Sequence, residues 1–497
     1  MGSTFRLTTK LLPLFAGCYL AQGFSLMGPA ESWQTADLGY SPPGVQTFAQ
    51  EGDVGFPVAL GEEFRVNIPV ITYGFDQSFL EYFGVEGVKA VDAAFKAFND
   101  LAPVSNFSSD LTEFPKATAR VNFTAQRLSL LDVKSITMGL IIEQLGLAAP
   151  ERFVWTLRQR NEDNGFQMFN VISRNYDPVT LRATPYVNDS LYTYLVRPFV
   201  RNGAIVYWDA QEISLDAAEP NVSLAAYAGM NVPTIDGRVG RQIAWTSYGS
   251  YYTGLTRDDA GGLRYLYHPE NRNVEVLPAL VGPLSTTPVT KLGSSSGGSG
   301  NWAPFTGTGF ANGNTNAPGG GVTIINQGIR PGLDKIQFMR VDMDPLLSQF
   351  TRPLVFRYTD TVMTNGVTRT QQVEKQLARP DIVLTMGDLG TWPAPFAPFP
   401  WIYGRGKEYN LLGSINGISG NTFDAQGPGL VEFNTGGLFL FNRAAGGRIN
   451  LGSGTTEQDS ITTFVWGSFD GSTNAPVVYP AGRLTLRDLE RVALSGN

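Results

Sequence analysis

The stretch Asp132-Val133-Lys134-Ser135-Ile136-Thr137-Met138-Gly139-Leu140-Ile141-Ile142-Glu143-Gln144-Leu145-Gly146-Leu147-Ala148-Ala149-Pro150 decides how the first half of this chain is read. Val133, Ile136, Leu140 and Leu147 recur at helical spacing, Asp132 can cap the start, and Pro150 bars continuation. The pattern predicts a buried helix that ends near Gly146. It contains no histidine.

Working outward, Arg65–Tyr73 reads as a strand, with Pro69 favouring an edge or a bulge. Val88, Val91, Phe95 and Phe98 then mark one face of a helix ending near Asn99. Downstream, Phe153–Leu157, Tyr192–Val200 and Ala204–Trp208 are strand-like, and Asn202-Gly203 is a hairpin signal between the last two. In Leu255–Tyr267, Thr256 can cap a helix, Asp258 and Asp259 suit its positive end, and Leu263, Leu266 and Tyr267 give it an apolar face. These elements predict an α/β first domain over 64–275 with a β-rich insertion. Phe24–Glu63 is expected to be an irregular arm, and 276–325, rich in Gly, Ser and Asn, a linker or exposed loop. Over 326–497 apolar runs alternate with turn signals, above all Asn365-Gly366 between Phe356–Met363 and Val367–Val373. That pattern predicts an antiparallel β-sandwich or barrel, with a terminal helix over Leu484–Leu494. The fold class expected is therefore α+β.

Composition bounds the function. The 497 residues are 42% hydrophobic and 16% charged, with 56 Gly and 31 Pro, which favours short strands and turns over helical bundles. A net charge of −7 indicates neither a nucleic-acid partner nor an anionic membrane surface. Arg6 and Lys10 flank the short apolar run Leu11–Ala21, and Ala21-Gln22-Gly23 is a small-x-small site. Residues 1–23 are thus expected to be an export signal cut after Gly23, and no apolar run of about 20 residues follows to span a membrane. Cys18, the one cysteine, lies inside that signal, so the exported chain would hold no thiol chemistry. Phe15-Ala16-Gly17 ahead of it fits a lipoprotein box only in part. Export without disulfides points to a bacterial cell surface or exterior.

The order Ile71–Asp76, the Val88–Phe98 helix, Leu145-Gly146-Leu147 and Leu255–Tyr267 resembles the matrixin branch of the metzincin metalloproteases. The resemblance implies a zinc helix with the signature H-E-x-x-H-x-x-G-x-x-H. Laid on Gln144-Leu145-Gly146-Leu147, that signature puts Gly139 at the first histidine, Leu140 at the glutamate base and Glu143 at the second histidine. Catalytic zinc needs three protein ligands and a base, so what is implied is a scaffold whose zinc chemistry is lost. In the second half, Trp466–Pro480 resembles a segment of uncharacterised secreted bacterial proteins.

Few side chains remain for chemistry. His268, the single histidine, follows the Leu255–Tyr267 helix and suits its carbonyl end. Gly293-Ser294-Ser295-Ser296-Gly297 matches a nucleophile elbow only formally, because no strand or helix flanks it and His268 precedes it. Glu62/Glu63, Asp258/Asp259 and Asp342/Asp344 are acidic pairs that a glycoside hydrolase would need, and the last pair is the one place where calcium is conceivable. No metal or other cofactor is expected. Thr391–Gly404 is a proline-stiffened ribbon bearing Trp392, Phe396, Phe399, Trp401 and Tyr403, a candidate contact surface or else a flap over the second domain. The expectation is a non-catalytic, exported structural or adhesive protein that self-associates, with polysaccharide as a further partner. The rival is a carbohydrate-active hydrolase using paired carboxylates.

Overall fold

A computed structural model describes residues 22–29, 33, 54–62, 65–66, 68–128, 130–201, 204–215, 223–224, 249–276, 327–346, 350–364, 366–377, 380–384, 430–433, 437–440 and 465–479. The fold is mixed α+β, with several small sheets and helices around one main core and a small second cluster at Trp33, Leu157 and Ala210.

Strands β1 (Phe24–Pro29) and β2 (Val54–Val58) pair antiparallel, so the range expected to be an irregular arm contributes ordered strands. Phe24, Leu26 and Met27 explain this: all are buried, and apolar side chains at that density drive the backbone into a sheet. β3 (Val70–Phe75) comes next. Pro69 lies just before it, where its carbonyl still accepts from Gln337 N–H at 2.9 Å. The expected edge strand is therefore a central one, because the proline stays outside the ladder and the nearly continuous apolar run can be buried on both faces.

Helix α1 (Gln77–Asn99) is capped by Asp76, whose Oδ1 accepts from Phe79 N–H at 2.9 Å. Its buried stripe, Phe79, Phe83, Val88, Val91, Phe95 and Phe98, extends the predicted face toward the N-terminus. At Gly84 the backbone turns to φ 60°, a break that glycine permits without steric cost. Then follow β4 (Ala119–Val121), α2 (Phe123–Arg127), β5 (Leu130–Asp132) and α3 (Val133–Gln144). α3 is the helix read from sequence, and Gly146 at φ 98° marks the turn after it.

β6 (Leu147–Ala148) joins β1, and Pro150 opens α4 (Pro150–Phe153), where a proline without an N–H costs nothing. The predicted Phe153–Leu157 strand accordingly starts late, as β7 (Thr156–Asp163), which pairs with β8 (Phe166–Ile172). β9 (Asn175–Tyr176) and β10 (Tyr186–Val187) precede a long hairpin of β11 (Ser190–Arg201) and β12 (Ala204–Ser214). β13 (Ser250–Tyr252) pairs with β4 and leads into α5 (Arg257–Tyr267).

β14 (Asn273–Val276) pairs antiparallel with β15 (Gln327–Arg330), so the segment expected to link two domains leaves and re-enters one sheet. β16 (Gln337–Arg340) is parallel to β3 on one side. β17 (Leu354–Thr364) and β18 (Val367–Leu377) form the predicted hairpin, with Gly366 at φ 75° in its turn. β19 (Ile382–Leu384) is parallel to β3 on its other side. β20 (Leu430–Phe433) and β21 (Gly437–Leu440) pair with each other. β22 (Val465–Ser468) is parallel to β5 and antiparallel to β23 (Val477–Val478).

The boundary expected between 64–275 and 326–497 is therefore crossed by three parallel pairings. The physical reason lies in side chains the local pattern could not place. Trp466 is fully buried with its ring centroid 6.3 Å from that of Phe83, and Tyr479 lies 5.1 Å from Phe83. Phe338 packs 5.1 Å from Phe95. The predicted terminal helix over Leu484–Leu494 lies outside the described residues.

Candidate functional site

Buried polar networks and cation–aromatic contacts gather at three places: α3, the first turn of α5, and the β7–β8 ribbon. α3 occupies the position that the metzincin resemblance assigns to zinc chemistry. Asp132 Oδ2 accepts from the Ser135 amide at 2.9 Å and from its hydroxyl at 2.5 Å, which caps the helix. Ser135 Oγ in turn accepts from Tyr252 N–H at 2.8 Å, tying β13 to the helix start. Burial pushes the Asp132 carboxyl up to about 6 against the opposing pull of the Ser135 hydrogen bonds. Val133, Ile136, Met138, Ile141 and Ile142 are all buried, and α1, β5, β6, β13 and β22 pack around them. These side chains form part of the main core. Gly139, Leu140 and Glu143 lie within it, as the sequence register requires.

At the first turn of α5, Thr256 and Asp259 form a reciprocal capping box: Thr256 N–H and hydroxyl donate to Asp259 Oδ2 at 2.8 and 2.6 Å. The same Asp259 oxygen accepts from Leu224 N–H at 2.8 Å. Asp258 Oδ2 accepts from Asn188 N–H at 2.6 Å, and Asp258 also accepts from the Gly23 amide, while its Oδ1 has no partner. Asn188 holds φ at 44°, a left-handed conformation that asparagine tolerates, and so aims its N–H inward. Nearby, Glu151 accepts from Ser223 twice, amide to Oε1 at 2.6 Å and hydroxyl to Oε2 at 2.8 Å. Desolvation, with a smaller contribution from the Asp259 charge, pushes Glu151 up to about 8. The same causes, burial first, hold Asp258 well above the carboxylate range and Tyr252 well above the usual phenol value.

Glu151, Asp258 and Asp259 are 1%, 0% and 1% exposed, so none of them can touch a substrate. They pin separate segments of chain (Gly23, Asn188 and Ser223–Leu224) to two helices. Of the predicted acidic pairs, Asp258/Asp259 is thus structural. Glu62 accepts from Ala59 N–H at 3.1 Å in an exposed turn, and Glu63 lies outside the described residues. Asp342 and Asp344 lie just after β16, and Asp344 accepts from Leu346 N–H at 2.9 Å. His268 is the residue that ends α5, its N–H donating to Arg264 O. The aromatic ribbon Trp392, Phe396, Phe399, Trp401 and Tyr403, the Gly293–Gly297 tract and Cys18 lie outside the described residues.

The β7–β8 ribbon carries a feature the sequence did not single out. Arg158 is the extra residue of a bulge between Leu157 and Gln159, and its Cζ lies 4.4 Å over the Trp33 ring. Arg160 stands 5.9 Å over Trp208, which packs 4.9 Å from Phe169. A surface cavity of about 610 Å³ is lined by Trp33, Arg158, Gln159, Arg160, Asn161 and Asn170. An i, i+2 arginine pair was visible in the sequence, but the tryptophans that stack on it come from distant segments.

Among the described residues, no group of three or more His, Cys, Asp or Glu side chains could hold a metal ion, and no helix is long and apolar enough to cross a membrane. No protein-family model, curated protein or solved structure matches the chain.

Proposed function

We propose that this is a non-catalytic exported protein of the bacterial cell surface or exterior, structural or adhesive in role, which self-associates through its ribbon edges. The observation that carries the reading is the outer edge of β18: Val367–Leu377 pairs with β17 along one side and, among the described residues, with no strand along the other. An edge of that length presents a row of unpaired backbone donors and acceptors to a second copy. Val355 and Val367, 44% and 54% exposed on the same hairpin, add apolar contact. The zinc-less metzincin scaffold belongs to the same proposal: Gly139, Leu140 and Glu143 stand in α3 where the resemblance implies two histidines and a glutamate. Export rests on the leader read over residues 1–23, with its cut after Gly23.

Electron microscopy and light scattering of the mature protein across a concentration series test this. Oligomers or filaments are expected, and Val355→Lys with Val367→Lys should reduce them to smaller species. A wild-type protein that stays monomeric at every concentration overturns the reading.

A further inference from the structure

The cavity on the β7–β8 ribbon goes beyond self-association. We propose that it is a binding site for an acidic polysaccharide, a chain of hydroxyl-bearing sugar rings that also carry carboxylate or sulfate groups.

Charge comes first. Arg158 and Arg160 line the cavity, and among the described residues neither is in a salt bridge: Arg158 is stacked on Trp33, and Arg160 donates to Gln167 Oε1 at 3.3 Å. Both lie on β7, two residues apart, so an oxyanion in the cavity meets two guanidiniums. Arg158 lies 4.4 Å over the Trp33 ring and Arg160 5.9 Å from the Trp208 ring, cation–π contacts that restrain both side chains while an exposed guanidinium edge can still pair with an oxyanion.

The remaining lining separates a sugar from other anions. Gln159, Asn161 and Asn170 are amides, which donate and accept at once. Gln159 Nε2 already donates to Asn161 Oδ1 at 3.0 Å, an arrangement that positions the outer amide atoms. Acceptor oxygens at a cationic site serve no purpose for a bare phosphate, but they suit hydroxyl groups next to an acid. Trp208 also keeps a buried indole N–H without an acceptor. Among the described residues no carboxylate lines the cavity, and the proposal is of binding rather than glycoside hydrolysis.

The test is calorimetric titration of the mature full chain with polygalacturonate, dextran sulfate, neutral dextran and poly-glutamate. Saturable binding to polygalacturonate or dextran sulfate is expected, the tighter of the two identifying the acid group. Neutral dextran should not bind, and poly-glutamate should bind at least tenfold more weakly. R160Q, at an exposed position, should weaken the acidic polysaccharide at least tenfold with unchanged thermal stability. Asn161→Ala with Asn170→Ala should weaken the polysaccharide and leave poly-glutamate unaffected. Equal affinity for poly-glutamate, binding of neutral dextran at the same strength, absence of binding to both acidic polymers, or unaltered binding by both variants would each overturn the assignment.

Discussion

The Ser223 amide donates to Glu151 Oε1 at 2.6 Å across a sequence separation of 72 residues, and the Ser223 hydroxyl donates to the other oxygen of the same carboxyl. The carboxyl is buried, so its proton and its hydrogen bonds together decide how firmly that segment is held. Glu151 binds its proton up to about pH 8 in the fold but only to about 4.5 when unfolded. The folded pKa is the higher, so the contribution is fully present below 4.5 and lost as pH rises through the folded value. Asp132, pushed up to about 6, has the same sign. Melting temperature should therefore fall between pH 5 and pH 8, and Glu151→Gln, which keeps an acceptor for Ser223, should flatten that slope. A slope unchanged in the variant would place the titration elsewhere.

Trp466 joins the two halves of the chain. Its side chain is fully buried beside Phe83, and its strand is parallel to β5. Trp466→Ala should cost about 3–5 kcal/mol in chemical denaturation. A fragment ending at residue 276 should show no cooperative unfolding, since β3 would lose both neighbours. Cooperative melting of that fragment would show that the halves fold independently.

Gly23 admits no side chain. A Cβ there would stand 2.1 Å from Asn175 Nδ2 and 2.3 Å from the Tyr186 carbonyl, and the latter is backbone that cannot step aside. Gly23→Val should destabilise by about 1–3 kcal/mol through overpacking. Urea denaturation of the full chain checks this. A variant as stable as wild type would mean that the Asn175 and Tyr186 segments can shift to admit a side chain.

Arg65 is 1% exposed and donates to three carbonyls: Leu266 and Asn271 at 2.9 Å and Arg330 at 3.0 Å. It thereby closes the carbonyl end of α5 against β15, where a cation is favoured. Arg65→Met should cost about 3 kcal/mol, because buried acceptors lose their donor, and Arg65→Lys should recover only part of it. Equal stability of Met and wild type in urea titration would show that water replaces the guanidinium.

Periodicity and capping residues made several elements legible. α3 and α5 follow from apolar spacing and from Asp132 and Thr256 as caps, and the β17–β18 hairpin from a turn glycine. Such signals act within a few residues, so one strand or helix suffices to display them. What they mispredicted was partnership. Pro69 looked like an edge signal, yet β3 is central, because parallel strands are recruited from residues 337–340 and 382–384. Asp258 and Asp259 looked available for chemistry, yet both are buried and hold distant amides.

The sequence by itself determined that the stretch read against the zinc signature carries no histidine, and it determined the local elements, since capping and turn preferences are short-range. Only the tertiary structure decided that the two halves share a core, that Glu151, Asp258 and Asp259 act as internal clasps, and that Trp33 and Trp208 stand beside two neighbouring arginines. Each of those depends on residues far apart in the chain being desolvated together, and burial is a property of the packed whole that no local pattern carries.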